Sequence, residues 1–300
     1  MRSNVADYSL IAPPTLPEAL TLLASDPGRY TPIAGGTELM VALAAGRVPQ
    51  KQLLSLHNLH ELRFITATPE AITLGAGSTF SDIRRSDFLA VELPLLTAAA
   101  SWTGSVANQN RGTLGGNIVN ASPAADTPPA LLAYDATLTL ISEGANKSAP
   151  TTRTLPYRQF HLGYKKTALG PNELLFSITI PRAYGAYRSY IRKVGTRNAQ
   201  AISKVALAGL ALISEGDQRL IQDIRIGAAS LRETPARCIA TEHTLLNQFI
   251  TAATLPSLIR NARIALASEA RPIDDIRSTA RYRATVAANL LEEFLTGLLP

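Results

Sequence analysis

The sequence predicts an α+β protein of two domains, and three observations carry that prediction. Through the first fifty-odd residues, helix and strand signals alternate at short spacing. From Leu62 to Pro181 the texture becomes strand-like alternation interrupted by helices. From Tyr187 on, three long strand patterns come first and three helical patterns follow, the block order of an α+β domain. At 300 residues, 46% hydrophobic and 17% charged, the chain can bury two cores and is too apolar for a disordered segment. The reading divides the chain at 1–182 and 183–300, with the first part subdivided into 1–57 and 58–182.

The elements follow in order. Thr15-Leu16-Pro17-Glu18 opens a helix: Thr15 caps, Glu18 lies three residues on, and Ala19, Leu20, Leu22 and Leu23 supply the apolar face. A strand over Tyr30–Ala34 runs into AGGTE (34–38). A helix over about 38–45 stops at Gly46, and a strand lies near Leu53–Leu56. RFITAT and AITLGAG read as strands. Helices are expected at 79–87 and 92–102, followed by the glycine-rich RGTLGGNIVNASPAAD (111–126). A short helix starts at Thr127-Pro128, with strands at 136–142 and 174–181. SEGANKSAPTT (142–152) reads as a polar, mobile hairpin-like loop between them. The second domain offers strands in YRSYIRKV, ISKVALAGLALIS and LIQDIRIGAAS, with a hairpin turn at GDQR (216–219). Helices are expected at 236–249, 255–268 and 279–297.

Composition excludes several functions. The formal charge of +6 suits an anionic ligand or an acidic partner. Aromatics are only 6%, no basic run is interleaved with them, and no zinc spacing occurs, so nucleic-acid binding is not expected. The single cysteine, Cys238, cannot hold an iron–sulfur cluster or a cysteine-rich zinc site. His57, His60, His161 and His243 are scattered, so no metal ligands are assigned. The N-terminal residues lack an apolar signal core, and no apolar run approaches the ~18 residues of a membrane span. A cytoplasmic protein is expected.

AGGTE and TLGGN (113–117) are the segments suited to a ligand. In both, glycine permits positive φ and removes the Cβ that would obstruct a bound group. Successive N–H groups in such turns form an anion-binding concavity, and a helix N-terminus adds a favourable dipole. Thr37 and Thr113 add hydroxyls, Asn117 an amide, and Asp126 an acceptor for a sugar or ribityl hydroxyl. Neither segment is a Walker A loop or a Rossmann fingerprint, and a Gly-Gly pair also serves as a plain turn. PIDDIRSTARYR (272–283) holds Asp274, Asp275, Arg277, Arg281 and Arg283, read as a structural network at the start of the last helix. Val286, Leu290, Leu291, Phe294 and Leu295 read as core or subunit interface, and Trp102 and Tyr134 as core aromatics.

The chain resembles the FAD-binding medium subunit of the molybdenum hydroxylases, the family of xanthine dehydrogenase and bacterial carbon monoxide dehydrogenase. The resemblance rests on PIAGGTELM (32–40), RGTLGGNIVNASPAADTPPALLAYDA (111–136), FHLGYKKTAL (160–169), NELLFSITIPR (172–182), KVGTRNAQAISKVALA (193–208) and PIDDIRSTARYRATVA (272–287). It implies a two-part FAD-binding fold like that of vanillyl-alcohol oxidase (PCMH type), then a C-terminal three-stranded antiparallel sheet with a helical bundle.

The resemblance also implies roles. Ile33, Ala34, Gly35, Gly36, Thr37, Glu38 and Leu39 would line the pyrophosphate. Thr113, Gly116, Asn117 and Asp126 would hold the pyrophosphate and sugar portions, with Val119 and Asn120 near the flavin. Leu175 would pack close by, and Lys193 would reach the cofactor from the C-terminal domain. FAD would be non-covalent, since no His or Cys falls in the two glycine segments. No side chain is assigned as catalytic. Partners would be a large molybdenum-cofactor subunit and a small subunit carrying [2Fe-2S] clusters, in an (LMS)2 assembly that passes electrons through FAD to an external acceptor. The chain departs from relatives with a cysteine-rich insertion. It also departs at Arg197, which is followed by Asn198-Ala199-Gln200 where xanthine dehydrogenase-like chains carry an acidic pair. The uncharged replacement implies a flavin easier to reduce. A self-sufficient FAD oxidase or reductase of the same fold, and a non-catalytic nucleotide-binding scaffold, are the competing readings.

Overall fold

The computed structural model describes residues 4–144, 149–197, 200–216 and 219–299. The first part is a three-stranded parallel sheet in the order β1-β3-β2, from β1 (Ser9–Ile11), β2 (Tyr30–Ile33) and β3 (Gln52–Ser55). Helix α1 (Leu16–Ser25) is capped by Thr15, whose Oγ1 accepts from the Glu18 N–H at 3.4 Å. It buries Leu16, Ala19, Leu20 and Leu23 against the sheet. Helix α2 (Leu39–Ala44) follows β2 and buries Leu43.

The second part is a five-stranded antiparallel sheet. Its strands are β4 (Ile65–Ala67), β5 (Ala71–Gly75), β6 (Thr137–Ser142), β7 (Thr151–Pro156) and β10 (Leu174–Pro181), in the order β4-β5-β10-β6-β7. A small hairpin, β8 (His161–Gly163) and β9 (Lys166–Thr167), precedes β10. Six short helices cover the sheet: α3 (Phe80–Arg84), α4 (Asp87–Glu92), α5 (Pro94–Trp102), α6 (Val106–Arg111), α7 (Leu114–Val119) and α8 (Pro128–Ala133).

The structure corrects three expectations here. The helix expected over 79–87 breaks into α3 and α4, because Ser86 caps a new helix through the Leu89 N–H at 3.2 Å. The glycine-rich stretch is not all loop: it follows α6, and its Leu114–Val119 portion forms α7. Thr151 and Thr152 belong to β7 rather than to a loop, while 145–148 lie outside the described residues, as do the two central residues of GDQR.

The C-terminal domain is an antiparallel sheet in the order β11 (Arg188–Val194), β12 (Val205–Ile213), β13 (Ile221–Ala229), β14 (Ala236–Arg237). The three long strands stand as expected, and the two-residue β14 adds a fourth. Helices α9 (Ile239–Leu245), α10 (Leu255–Glu269) and α11 (Ala280–Thr296) pack on one face. The other face packs on α8 of the first domain. Strand β12 is therefore apolar on both sides. Ala208 and Leu210 join the core of the first domain, whereas Val205, Leu207 and Ala211 join the helical side. Two glycines permit this sandwich. A Cβ on Gly209 would sit 2.5 Å from the Phe294 ring of α11, and one on Gly227 would overlap the Pro129 carbonyl oxygen of α8.

Ion pairs complete the domain junction. Asp135 accepts from Arg225 and Arg237, and Arg237 also pairs with Glu242 at 2.6 Å. The Tyr184 hydroxyl donates to the Tyr134 carbonyl at 3.1 Å. Asp275 accepts from both Arg277 and Arg283, and Asp274 accepts from the Ala280 N–H. PIDDIRSTARYR is thus a clamp on the start of α11. Among the described residues no helix is long and apolar enough to cross a membrane, and no cluster of side chains could hold a metal ion.

Candidate functional site

AGGTE forms the turn from β2 into α2. Gly35 is required there by contact: a Cβ would overlap the Arg111 carbonyl oxygen at the end of α6. Gly36 is required by conformation, with φ +74°. The first backbone bond of α2 runs from Met40 N–H to Gly36 O at 3.0 Å. Among the described residues, the amides of Gly35, Gly36, Thr37 and Glu38 have no acceptor. Four successive unspent donors beside a left-handed glycine make a concavity for an oxyanion. Ile33 and Leu39 flank it and pack on the small core of Leu43, Val48 and Leu53; Ala34 is half-buried.

TLGGN behaves differently. Thr113 caps α7, its Oγ1 accepting from Gly116 N–H at 3.0 Å. Leu114 N–H donates to Ser78 O, Gly115 N–H to Ala76 O and Asn117 N–H to Thr113 O. The N-terminal amides of α7 are thus spent on the fold, and the expected dipole site is absent. None of Gly112, Gly115 and Gly116 has positive φ, which corrects the expectation for this segment. Gly115 is needed for packing, since its Cβ would meet that of Ala76 at 2.6 Å. Gly116 is exposed, and a Cβ there would meet only the Thr113 hydroxyl, at 2.9 Å.

What this segment presents is side chains. The Thr127 hydroxyl donates to Asn117 Oδ1 at 2.6 Å, which leaves the Asn117 amide nitrogen as donor. Lys165, in the β8–β9 hairpin, donates to Asn120 Oδ1 at 2.6 Å and lies 3.6 Å from the Glu38 carboxylate. It joins the two segments. At the C-terminal end of α7, His161 Nε2 meets the Ile118 carbonyl at 2.8 Å, and burial pushes its pKa below the usual value. Val119 packs against the same core as Leu175, which is buried on β10 beneath α7.

Asp126 and Lys193 meet across the two domains at 2.6 Å, both side chains about nine-tenths buried. Asp126 also accepts from the Ser203 hydroxyl at 2.7 Å, and Lys193 donates to the Trp102 carbonyl at 3.1 Å. Burial pushes the Asp126 carboxyl up, while the Lys193 ammonium and the Ser203 hydroxyl oppose it. The structure therefore brings the AGGTE turn, α7 and Asn120 together through Lys165, and Asp126, next to the Thr127 that holds Asn117, pairs with Lys193 across the domains. Lys165 and Ser203 were not singled out from sequence, although each lies within a quoted motif (FHLGYKKTAL and AISKVALA). Trp102 is half-buried and contributes its carbonyl. Arg197 donates to Gln200 O at 2.7 Å; Asn198 and Ala199 lie outside the described residues.

Known proteins resemble this chain along nearly its whole length. Residues 6–183 match the FAD binding domain in molybdopterin dehydrogenase, and residues 190–298 match the CO dehydrogenase flavoprotein C-terminal domain. The chain is 27% identical over 280 residues to the glyceraldehyde dehydrogenase medium chain of Sulfolobus acidocaldarius, covering 93% of this chain and 94% of that one. It is 28% identical over 290 residues to the carbon monoxide dehydrogenase medium chain of Hydrogenophaga pseudoflava, covering 95% of each. A solved structure of carbon monoxide dehydrogenase from Hydrogenophaga pseudoflava superposes with a TM-score of 0.86 at 26% identity over 95% of both chains. Quinoline 2-oxidoreductase from Pseudomonas putida 86 superposes with 0.85 at 25% identity, over 97% of this chain and 96% of that one. The chain belongs to the FAD-binding medium-subunit family of the molybdopterin dehydrogenases.

Proposed function

We propose that this chain is the FAD-carrying electron-transfer subunit of a heteromeric molybdenum hydroxylase. The observation that carries the reading is the row of unspent amides over Gly35–Glu38, in a turn that matches an FAD-binding family. These donors fit the diphosphate of FAD, which needs oriented N–H groups and no obstructing Cβ. Thr37 would add its hydroxyl and Asn117 its amide nitrogen, while Ile33, Ala34 and Leu39 wall the turn. The buried Thr113 and the exposed Gly116 shape the start of α7, with Val119, Asn120 and Leu175 lining the far side. Asp126 and Lys193 would face the sugar and flavin portions, with Ser203 and Trp102 fixing their positions.

Bound FAD would supply the capacity to take up and release electrons. The chain's own residues bind it, orient it and keep a buried charge pair beside it. None need act as nucleophile or general acid. The medium chains it resembles point to a large molybdenum-cofactor subunit and a small [2Fe-2S] subunit as partners. We extend this to an (LMS)2 assembly in the cytoplasm, an external acceptor, and a division of the chain at 1–182 and 183–300.

The test is to purify the chain alone and with its two partner subunits. Alone, it should carry releasable yellow FAD, reduce an artificial dye at best, and oxidise no organic substrate. With the partners, substrate should bleach the flavin. Substrate oxidation by the isolated chain at ~1 s⁻¹ or faster would replace this reading with a standalone oxidase.

A further inference from the structure

A cleft of about 620 Å³ opens between the first domain and the C-terminal helices, the size range of small-molecule sites. It contains no residue of the AGGTE turn or of α7. Four arginines, at 232, 271, 277 and 283, line it together with Glu233 and Glu269. Asp275 neutralises one charge of the Arg277–Arg283 pair. The Glu269 carboxylate is occupied by the Ala240 and Thr241 amides and the Thr241 hydroxyl.

Arg232 and Arg271 are left without a carboxylate among the described residues. Arg232 Nε donates to the Glu269 carbonyl at 2.6 Å, and one Arg271 terminal nitrogen donates to the Ser268 and Ala270 carbonyls. Carbonyl partners fix the guanidinium planes and leave both full charges and several N–H groups available. Arg283 is 3% exposed, and its Nε has no partner. The Tyr164 ring, 64% exposed at the tip of the β8–β9 hairpin, also lines the cleft, as does Pro272. Forked cations and a flat aromatic surface lining one cleft suit a ligand with a phosphate at one end and a planar ring at the other.

We propose that this cleft binds a nucleoside phosphate, its phosphate on Arg232 and Arg271 and its base against Tyr164, at a site separate from the one assigned to FAD. Occupancy has a route to the redox site. Ser230, which lines the cleft, donates to the Ser203 carbonyl at 3.1 Å, and the Ser203 hydroxyl holds Asp126 beside Lys193. The ligand would therefore shift the flavin spectrum without touching the flavin.

The experiment titrates ADP, adenosine and inorganic phosphate into the full chain, with and without saturating FAD, by calorimetry and flavin absorbance. ADP should bind saturably with FAD in place, and more tightly than either adenosine or phosphate. Arg271→Gln and Arg232→Gln should each weaken ADP at least tenfold with unchanged melting. Tyr164→Ala should weaken ADP but not inorganic phosphate. Absent saturable ADP binding, binding displaced by FAD, or indifference to Arg271→Gln overturns the proposal. The titration without FAD keeps this result distinct from failure of the FAD assignment.

Discussion

Gly35 and Gly116 look alike in the sequence, each in a Gly-Gly pair, yet the structure asks different things of them. Gly35→Ala would push a Cβ into the Arg111 carbonyl, a backbone atom that cannot step aside. Overpacking of that kind costs about 1–3 kcal/mol, and here it would also splay the turn. The expected outcome is a lower melting temperature and loss of FAD after gel filtration. Gly116→Ala meets only a hydroxyl, in a helix where alanine is favoured by up to ~1 kcal/mol. That variant should melt like the parent while holding FAD less tightly, since its new methyl projects from the exposed end of α7. Full flavin occupancy in Gly116→Ala would remove that residue from the site. The sequence marked both segments as needing glycine, for the freedom of φ and for room beside a ligand, not for packing against the fold. Close approach to Arg111 or Ala76 depends on partners tens of residues away, which local pattern does not encode.

Helix α7 is the element whose form was least legible. Six residues with two glycines make a poor helix by propensity, so a loop was the natural reading. Tertiary contacts reverse it: Gly115 packs on Ala76, Thr113 caps one end and His161 holds the other. The long strands β10 to β13 were legible because seven to nine residues of pattern outweigh local ambiguity. The two-residue β14 carries no such pattern. Burial of His161 at the end of α7 also gives that helix a pH dependence. Burial lowers the folded-state pKa of His161 below the ordinary imidazole value of about 6.5, so the unfolded chain binds the proton more readily. The contribution is complete above about pH 6.5 and is lost as pH falls toward the lowered folded value. Urea melts at pH 7.5 and 5.5 should show His161→Gln losing less stability over that interval than the parent, by at most about 1.4 kcal/mol per pH unit. An identical slope in both proteins would remove His161 from this role.

At the scale of the whole molecule, the two domains share one interior. Asp126 and Lys193 are the buried ion pair across it. Lys193→Met leaves the carboxylate buried without its cation, which costs about 3–5 kcal/mol. Asp126→Asn combined with Lys193→Met should recover much of that loss, because no lone charge remains. Denaturant titration of the single and double variants measures the difference. Simple additivity of the two losses would show that the pair is not coupled. The texture change near Tyr187 made the second domain legible in the sequence. Its attachment to α8 was not, since Gly227 reads as an ordinary strand glycine until the Pro129 carbonyl is seen against it.

The double lining of β12 bears on how such chains can be recombined. A fragment beginning near residue 183 would leave Ala208 and Leu210 facing water where the first domain now covers them. Such a face invites edge-to-face association with other copies, so the fragment would precipitate or require a solubilising fusion. Exchange between relatives therefore succeeds most readily when both domains travel as one cassette. A hybrid of two parents must at least match the Gly227 notch of one to the Pro129 turn of the other.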